Sequence, residues 1–124
     1  MTIECNAIIT KATLSSDDHG SLVAWLALDY GGLMQGFGGY SLYAPSRQHG
    51  KDFGGWFLWR VLEIADVTEW GKLPGKTVRV RRESEFGAAE AIGHIVEDDW
   101  FYPSRYDEDR PKSLKERPPL GESA

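Results

Sequence analysis

The sequence predicts an α+β domain, in which an antiparallel sheet of about five strands carries one main helix across one face. Two observations support this fold class. Several segments alternate apolar and polar residues with the period of two that is typical of strands, whereas residues 56–67 repeat their apolar residues at helical spacing. With 124 residues, 41% of them hydrophobic, and five each of Trp, Tyr and Phe, the chain can fill one core. The alternative fold is a small, partly closed β-barrel with the helix at one end.

The first two strands are predicted to form a hairpin. In residues 3–14, the apolar residues Ile3, Cys5, Ala7 and Ile9 alternate with mostly polar neighbours. The turn-forming segment "SSDDHG" follows, and "SLVAWLALDY" is then an apolar run of strand length. A strand this apolar is expected to lie centrally in the sheet. After a glycine-rich stretch, "YSLY" at residues 40–43 is a candidate for a short third strand.

The helix is predicted from Trp56 onward, in "WFLWRVLEIADV". The residues predicted to lie on its buried side are Phe57, Val61, Ile64 and Ala65. Those predicted to face solvent are Arg60, Glu63 and Asp66. Two further strands are predicted after the helix, in "KTVRVRRE" at residues 76–83 and in "AIGHIVED" at residues 91–98.

Composition limits the classes of function that we expect. Residues 1–104 are predicted to form one globular domain, and residues 105–124 a charged, proline-rich tail that is disordered by itself. A formal net charge of −5 argues against general binding to nucleic acid or to anionic membranes. No apolar run approaches the roughly 20 residues that span a bilayer, and no export signal is evident, so a cytoplasmic location is expected. One cysteine and three histidines give no typical metal spacing, and we expect no metal and no cofactor.

The glycine-rich stretch "GGLMQGFGGY" at residues 31–40 is the first candidate site. It does not match a dinucleotide fingerprint, because "GFGGYS" has Ser41 at the third glycine position and no helix is predicted behind it. It does not match a phosphate-binding P-loop either. Glycine amides could nevertheless form a nest that binds an anion, and the alternative is a simple bend between strands. The candidate ligand-binding residues here are Gln35, Gly36, Phe37, Gly38, Gly39 and Tyr40.

The second candidate is the basic strand that holds Arg79 and Arg81, with Lys76 and Arg82 beside them. Guanidinium groups suit phosphate and carboxylate ligands, so this strand could form a local positive stripe in an acidic protein. The alternative is a solvated outer face. In that case, the arginines would pair with nearby acids such as Glu83, Glu85 and Glu97.

The third candidate is "GHIVEDDWFYP" at residues 93–103. His94 could act as a general base oriented by Asp98 or Asp99, and Trp100 could contact a ligand. A structural histidine held by hydrogen bonds is the alternative, since no Ser or Cys nucleophile is tied to it by spacing. Trp56 and Trp59, one turn apart on the helix, are interpreted as core residues unless one of them is exposed.

The ordered pattern "QGFGGYSL", "VTEWGKLPGKTVRVRRE" and "AIGHIVEDDWF", over roughly residues 22–102, resembles a group of small proteins of unassigned function from bacteriophage and prophage genomes. The resemblance implies a phage accessory protein that acts by binding. Such a protein could block a host defence complex, or it could sequester a nucleotide signal in the pockets of an oligomer. The resemblance implies no catalytic residues.

Three functions follow from these observations. The leading one is a non-enzymatic binding protein that sequesters a small anionic, nucleotide-like ligand in the host cytoplasm, as a homo-oligomer. The second is an interaction protein that inhibits a host protein complex through its loops and aromatic surface. The third is a small hydrolase-like enzyme that uses His94.

Overall fold

The computed structural model describes residues 2–17, 20–44, 52–84, 87–106 and 108. Six strands form one antiparallel sheet: β1 (Ile3–Ser16), β2 (Leu22–Asp29), β3 (Met34–Tyr43), β4 (Thr77–Arg82), β5 (Ala91–Gly93) and β6 (Trp100–Phe101). The helix α1 (Phe53–Ala65) connects β3 to β4. Short 3₁₀ turns occur at Trp70–Lys72 and Pro103–Arg105.

The spatial order of the strands is β3-β2-β1-β4-β5-β6, and the sheet remains open. The predicted α+β fold with one helix on a sheet is therefore confirmed, with six strands instead of about five. The alternative of a partly closed barrel is wrong. The predicted first hairpin is also correct, although β1 and β4 take the two central places and β2 lies one strand further out. None of the described helices is both long and apolar enough to cross a membrane.

The core lies between α1 and one face of the sheet, which we call the inner face. Apolar residues of all six strands point to this face because the pairing register aligns their alternating positions. Aromatic rings dominate the contact: Phe57 of α1 lies 6.0 Å from Phe37 and 5.3 Å from Phe101, centroid to centroid. Trp56 packs edge-on against Phe101 at 5.0 Å. The helix residues predicted to be buried, Phe57, Val61, Ile64 and Ala65, are all buried.

The polar side of α1 differs from the prediction at two positions. Arg60 and Glu63 were expected to face solvent, but their side chains are only 3% and 9% exposed. The guanidinium of Arg60 donates hydrogen bonds to Glu63 and to Asp99, each at 2.8 Å. Burial lowers the pKa of Arg60, but the hydrogen bonds and charges of the two carboxylates outweigh it and hold that pKa above the usual value. The arginine therefore ties the helix to the segment that precedes β6.

Two strand boundaries also differ from the prediction. β3 starts at Met34, inside the glycine-rich stretch, instead of at Tyr40. β5 ends at Gly93 instead of continuing to Asp98, because the chain turns over residues 94–99. The backbone N–H of His94 donates to the carbonyl of Asp99 across this turn, at 2.9 Å. β6 then pairs with β5 as a two-residue edge strand.

The C-terminal part of the described chain packs on the start of α1. The ring of Tyr106 contacts Phe53 at 5.5 Å and Trp56 at 5.2 Å, centroid to centroid. Its hydroxyl donates a hydrogen bond to Asp52, just before the helix. The predicted tail lies outside the described residues except at positions 105, 106 and 108.

Candidate functional site: the outer face of the sheet

The face of the sheet opposite α1, here called the outer face, carries two different surfaces. Across β1, β2 and β3 it presents apolar side chains that are about half exposed: Ile8 (47%), Trp25 (48%) and Met34 (52%). Together with Ala27 and Gly36 between them, we call these residues the apolar patch. Across β4, β5 and β6 the same face presents arginines and aromatic rings.

The pairing register brings the apolar patch together from three separate strands. Ile8 of β1 lies opposite Asp29 of β2, which in turn lies opposite Met34 of β3. Ala27 and Gly36 form the next pair along the strands, and Trp25 follows beyond Ala27. The patch residues on β2 and β3 line a shallow, open depression of about 340 Å³.

The indole ring of Trp25 lies flat on the glycines of β3. A Cβ atom added at Gly36 would stand 3.1 Å from its Cζ3 atom, and one added at Gly39 would stand 2.1 Å from its Cζ2 atom. Gly39 also has a φ of +77°, which side-chain-bearing residues rarely adopt. These two glycines are therefore needed to seat the ring, and the seated ring remains half exposed.

The other glycines of the stretch have different structural uses. A Cβ atom at Gly38 would stand 2.4 Å from the carbonyl oxygen of Ala24, so a side chain there would push β3 away from β2. Gly31 and Gly32 form the turn between β2 and β3, and their N–H groups donate to one carboxylate oxygen of Asp29 at 2.9 and 2.8 Å. The amide nest that the sequence suggested at this turn thus holds a carboxylate of the same chain.

Three predicted ligand-binding side chains of the stretch belong to the inner face. Phe37 is 1% exposed and packs in the aromatic core. Gln35 lies opposite the buried Leu28 and shares its side of the sheet. Tyr40 is half-buried against Phe53 and Phe57, and burial, reinforced by the negative charge of Glu90, raises its pKa. These side chains are therefore not grouped with the outer-face residues.

The second surface, which we call the arginine cluster, consists of Arg79, Arg81, Glu4, Trp100 and Tyr102. The guanidinium of Arg81 lies 3.7 Å from the centre of the Trp100 ring and that of Arg79 lies 4.9 Å from it. Trp100 itself lies over Gly93, where an added Cβ atom would stand 2.7 Å from the ring. Sheet pairing with β1 supplies Glu4, whose carboxylate lies 3.2 Å from Arg81 and 3.6 Å from Arg79.

Hydrogen bonds within the molecule also engage both arginines. Arg79 donates to the backbone carbonyls of His94 at 2.7 Å and Glu97 at 2.6 Å, and Arg81 donates to the hydroxyl of Tyr102 at 3.0 Å. Although burial lowers the pKa of Arg81, the bonds to Tyr102 and Glu4 outweigh it and hold that pKa above its usual value. The two arginines therefore hold the 94–99 turn and the end of β6 against the sheet through these hydrogen bonds. Arg82, which we expected beside them, shares the inner face with Val80 and lies under the ring of Tyr30.

The side chain of His94 accepts hydrogen bonds within the turn that follows β5. Its Nδ1 atom accepts hydrogen bonds from the N–H groups of Val96 at 3.1 Å and Glu97 at 3.0 Å, which places the ring proton of the neutral imidazole on Nε2. The carboxylate of Asp99, expected as its orienting acid, accepts instead from Arg60. His94 therefore stabilises the turn that follows β5.

The predicted binding residues do not converge on one cavity. Arg79 and Arg81 lie on β4, and the glycine-rich strand β3 is separated from β4 by β2 and β1. Three strand spacings amount to about 14 Å. Of the predicted set, the structure brings together Arg79, Arg81, Trp100 and the backbone of His94 at one end of the outer face, and it places Gly36 and Gly39 under Trp25 at the other.

Sequence reasoning missed the exposed residues Ile8, Trp25 and Met34. The run "LVAWLAL" predicts a central strand, and nothing in its local pattern indicates that one of its sides has no covering layer among the described residues. A useful signal was present in the glycines at positions 36 and 39, which stand on either side of Gly38, the residue that the hairpin register pairs with Trp25.

Comparisons with protein-family models, with curated protein sequences and with solved structures found no match to this chain. Its function is therefore argued from the geometry above.

Proposed function

We propose that this chain is a non-enzymatic binding protein that recognises a partner protein through the apolar patch on the outer face of its sheet. The observation that carries the proposal is the position of Trp25, whose ring is fixed on glycines and yet remains 48% exposed. Burying such a ring in a partner gains apolar area at little conformational cost, because the ring is already positioned.

The composition and shape of the patch favour a protein over a small molecule. Tryptophan and methionine are enriched in protein interfaces, and tryptophan is among the residues most often found as hot spots. Polar residues lie around the patch: Lys11 opposite Ala27, Thr13 opposite Trp25, and Asp29 between Ile8 and Met34. The depression beside Trp25 is open and its volume is at the lower limit for small-ligand pockets, which usually enclose most of their ligand.

The experiment that tests the proposal is affinity capture with three forms of the full chain: wild type, Trp25→Ser and Trp59→Ser. Trp59 lies on α1 and is 40% exposed, so its replacement removes a similarly exposed tryptophan from another surface. The resemblance to phage accessory proteins makes a bacterial host lysate the appropriate source, and the host cytoplasm the proposed place of action. We expect a stoichiometric protein that is captured by wild type and Trp59→Ser and is lost with Trp25→Ser. Equal capture by all three forms would contradict the proposal, provided that circular dichroism shows all three folded.

A second candidate function is binding of a small anionic, nucleotide-like ligand at the arginine cluster. Two guanidinium groups there face one carboxylate, and the side chains of Arg79 and Arg81 are 23% and 27% exposed. The hydrogen bonds already made by both arginines count against it, since a ligand has to compete with Glu4 and the turn carbonyls. Thermal-shift measurements with linear and cyclic nucleotides distinguish the two functions. A stabilisation that Arg79→Gln abolishes would favour the anionic ligand.

A further inference from the structure

The strand β3 forms one edge of the sheet, and its composition is unusual for an edge. Natural edge strands are commonly protected from further pairing by charged residues, by proline, by bulges or by a covering segment. β3 reads "MQGFGGYSLY" over its ten residues and contains neither a charged residue nor proline, in a protein with 27% charged residues. The opposite edge strand, β6, is only two residues long.

The hydrogen-bond phase of the hairpin identifies the backbone groups that face this edge. The N–H of Tyr30 donates to the carbonyl of Leu33 at 2.9 Å, so these two residues form a hydrogen-bonded pair at the turn. Hydrogen-bonded and non-hydrogen-bonded pairs alternate along an antiparallel ladder. The N–H and C=O groups of Gln35 and Phe37 therefore point toward β2. Those of Met34 and Gly36 point away from it, toward the edge.

Among the described residues, the features that protect this edge lie in the second half of β3. Gly38 and Gly39 have φ values of +114° and +77°, which interrupt the extended backbone. The start of α1 approaches the strand further along, where an added Cβ atom at Gly54 would stand 2.6 Å from the carbonyl oxygen of Leu42. The segment 34–37 is uncharged and pairs with β2 in an uninterrupted register. It is the part of the edge suited to pairing with another strand.

We infer that residues 34–36 of β3 pair in antiparallel fashion with the same residues of a second copy of this chain. A second copy supplies the required strand without charge repulsion at the contact, although each molecule carries a formal charge of −5. An antiparallel pairing of identical strands is isologous and closes as a dimer. In this pairing, the outward groups of Met34 bond to those of Gly36 in the partner copy, and reciprocally, with Gln35 next to the two-fold axis.

The symmetry of this dimer has a consequence for the proposed function. A two-fold axis between antiparallel neighbours of one sheet is perpendicular to the sheet, so both outer faces lie on the same side. The two apolar patches then join at Met34, and each copy contributes residues to one continuous binding surface. Dimer formation itself does not depend on the proposed function, whereas the use of the joined surface rests on it.

Two substitutions at Met34 test the pairing. Met34→Pro removes the outward N–H, which makes no bond to β2, and proline is tolerated as the first residue of an edge strand. Met34→Thr is the matched control because it removes the same side chain but keeps the N–H. Molecular mass is measured by light scattering after size-exclusion chromatography, at up to about 1 mM protein. At that concentration, a dimer with an association free energy of about 4 kcal/mol is half formed.

We expect wild type and Met34→Thr to have twice the chain mass and Met34→Pro to have the mass of a single chain with an unchanged circular dichroism spectrum. If Met34→Pro fails to fold, Met34→Lys replaces it, since two lysines near the axis repel each other. A wild type that stays monomeric, or a dimer that survives both the proline and the lysine substitution, would overturn the inference. Trp25→Ser is expected to remain dimeric while losing the partner protein, so failure of the dimer and failure of the proposed function give different results.

Discussion

Replacing Gly39 with alanine tests whether the glycine-rich stretch serves to seat Trp25. The new Cβ atom would lie 2.1 Å from the indole ring, so the ring has to leave its position. A large aromatic side chain buries about 200 Å² when fully covered, and Trp25 is 48% exposed, so displacing its ring would expose about 100 Å² of buried area. At about 25 cal/mol per Å², its loss costs about 2.5 kcal/mol as an upper estimate. The positive φ adds about 1 kcal/mol for any residue with a Cβ atom.

Gly20 provides the matched control for this substitution. Its φ is +78°, almost that of Gly39, but a Cβ atom there would have no heavy atom within 4 Å. Gly20→Ala should therefore cost only the backbone term of about 1 kcal/mol, and Gly39→Ala up to about 3.5 kcal/mol. Equilibrium unfolding in urea at constant m-value measures both.

A double-mutant cycle isolates the contact with the ring. In a Trp25→Ala background, Gly39→Ala should cost no more than Gly20→Ala, because the ring that it displaces is absent. Equal costs for the two glycine substitutions in the wild-type background would refute this account of the glycines. An unchanged free-energy cost of Gly39→Ala in the Trp25→Ala background would refute it as well.

Two further predictions concern charged groups. Arg60→Met removes the cation that pairs with the nearly buried carboxylate of Asp99. It should lower the free energy of unfolding, measured by urea titration, by about 3 kcal/mol. A loss below about 1 kcal/mol would contradict this prediction. Glu90→Gln tests pH dependence: burial, then a hydrogen bond and repulsion from Glu83, raise the pKa of Glu90 above its ordinary value of 4.5. Because the pKa of Glu90 is raised in the folded state, the wild type loses stability as the pH rises above about 4.5. From there to neutral pH, the free energy of unfolding of the Gln variant should increase relative to that of the wild type. Parallel curves of stability against pH for the two proteins would contradict this prediction.

The elements of the fold could be predicted because their signals are local. The alternation in β1, the apolar run of β2 and the helical spacing after Trp56 each reflect which side of one element meets the core. Together these signals predict a sheet with one helix, which the structure confirms. They do not give the number of strands, since β6 has only two residues and forms where the 94–99 turn returns the chain to β5.

The site could be predicted only in part, because it depends on contacts between distant segments. The exposure of Trp25 follows from the absence of a second layer among the described elements on that face, and no local pattern encodes it. Arg60 follows the spacing of a solvent-facing residue, yet Asp99, 39 positions away, draws it into a nearly buried ion pair. Similarly, both Arg79 and Arg81 pair with Glu4 of the first strand, which is more than 70 residues away in sequence.

The most direct test of the central claim is the affinity of the captured partner, measured by isothermal titration calorimetry with wild type, Trp25→Ser and Trp59→Ser. If Trp25 is the hot spot of the apolar patch, Trp25→Ser should raise the dissociation constant at least about tenfold, which corresponds to about 1.4 kcal/mol. Trp59→Ser should leave it within about twofold of the wild-type value. An unchanged affinity for Trp25→Ser, or a larger loss for Trp59→Ser, would contradict a binding face built on the outer side of the sheet.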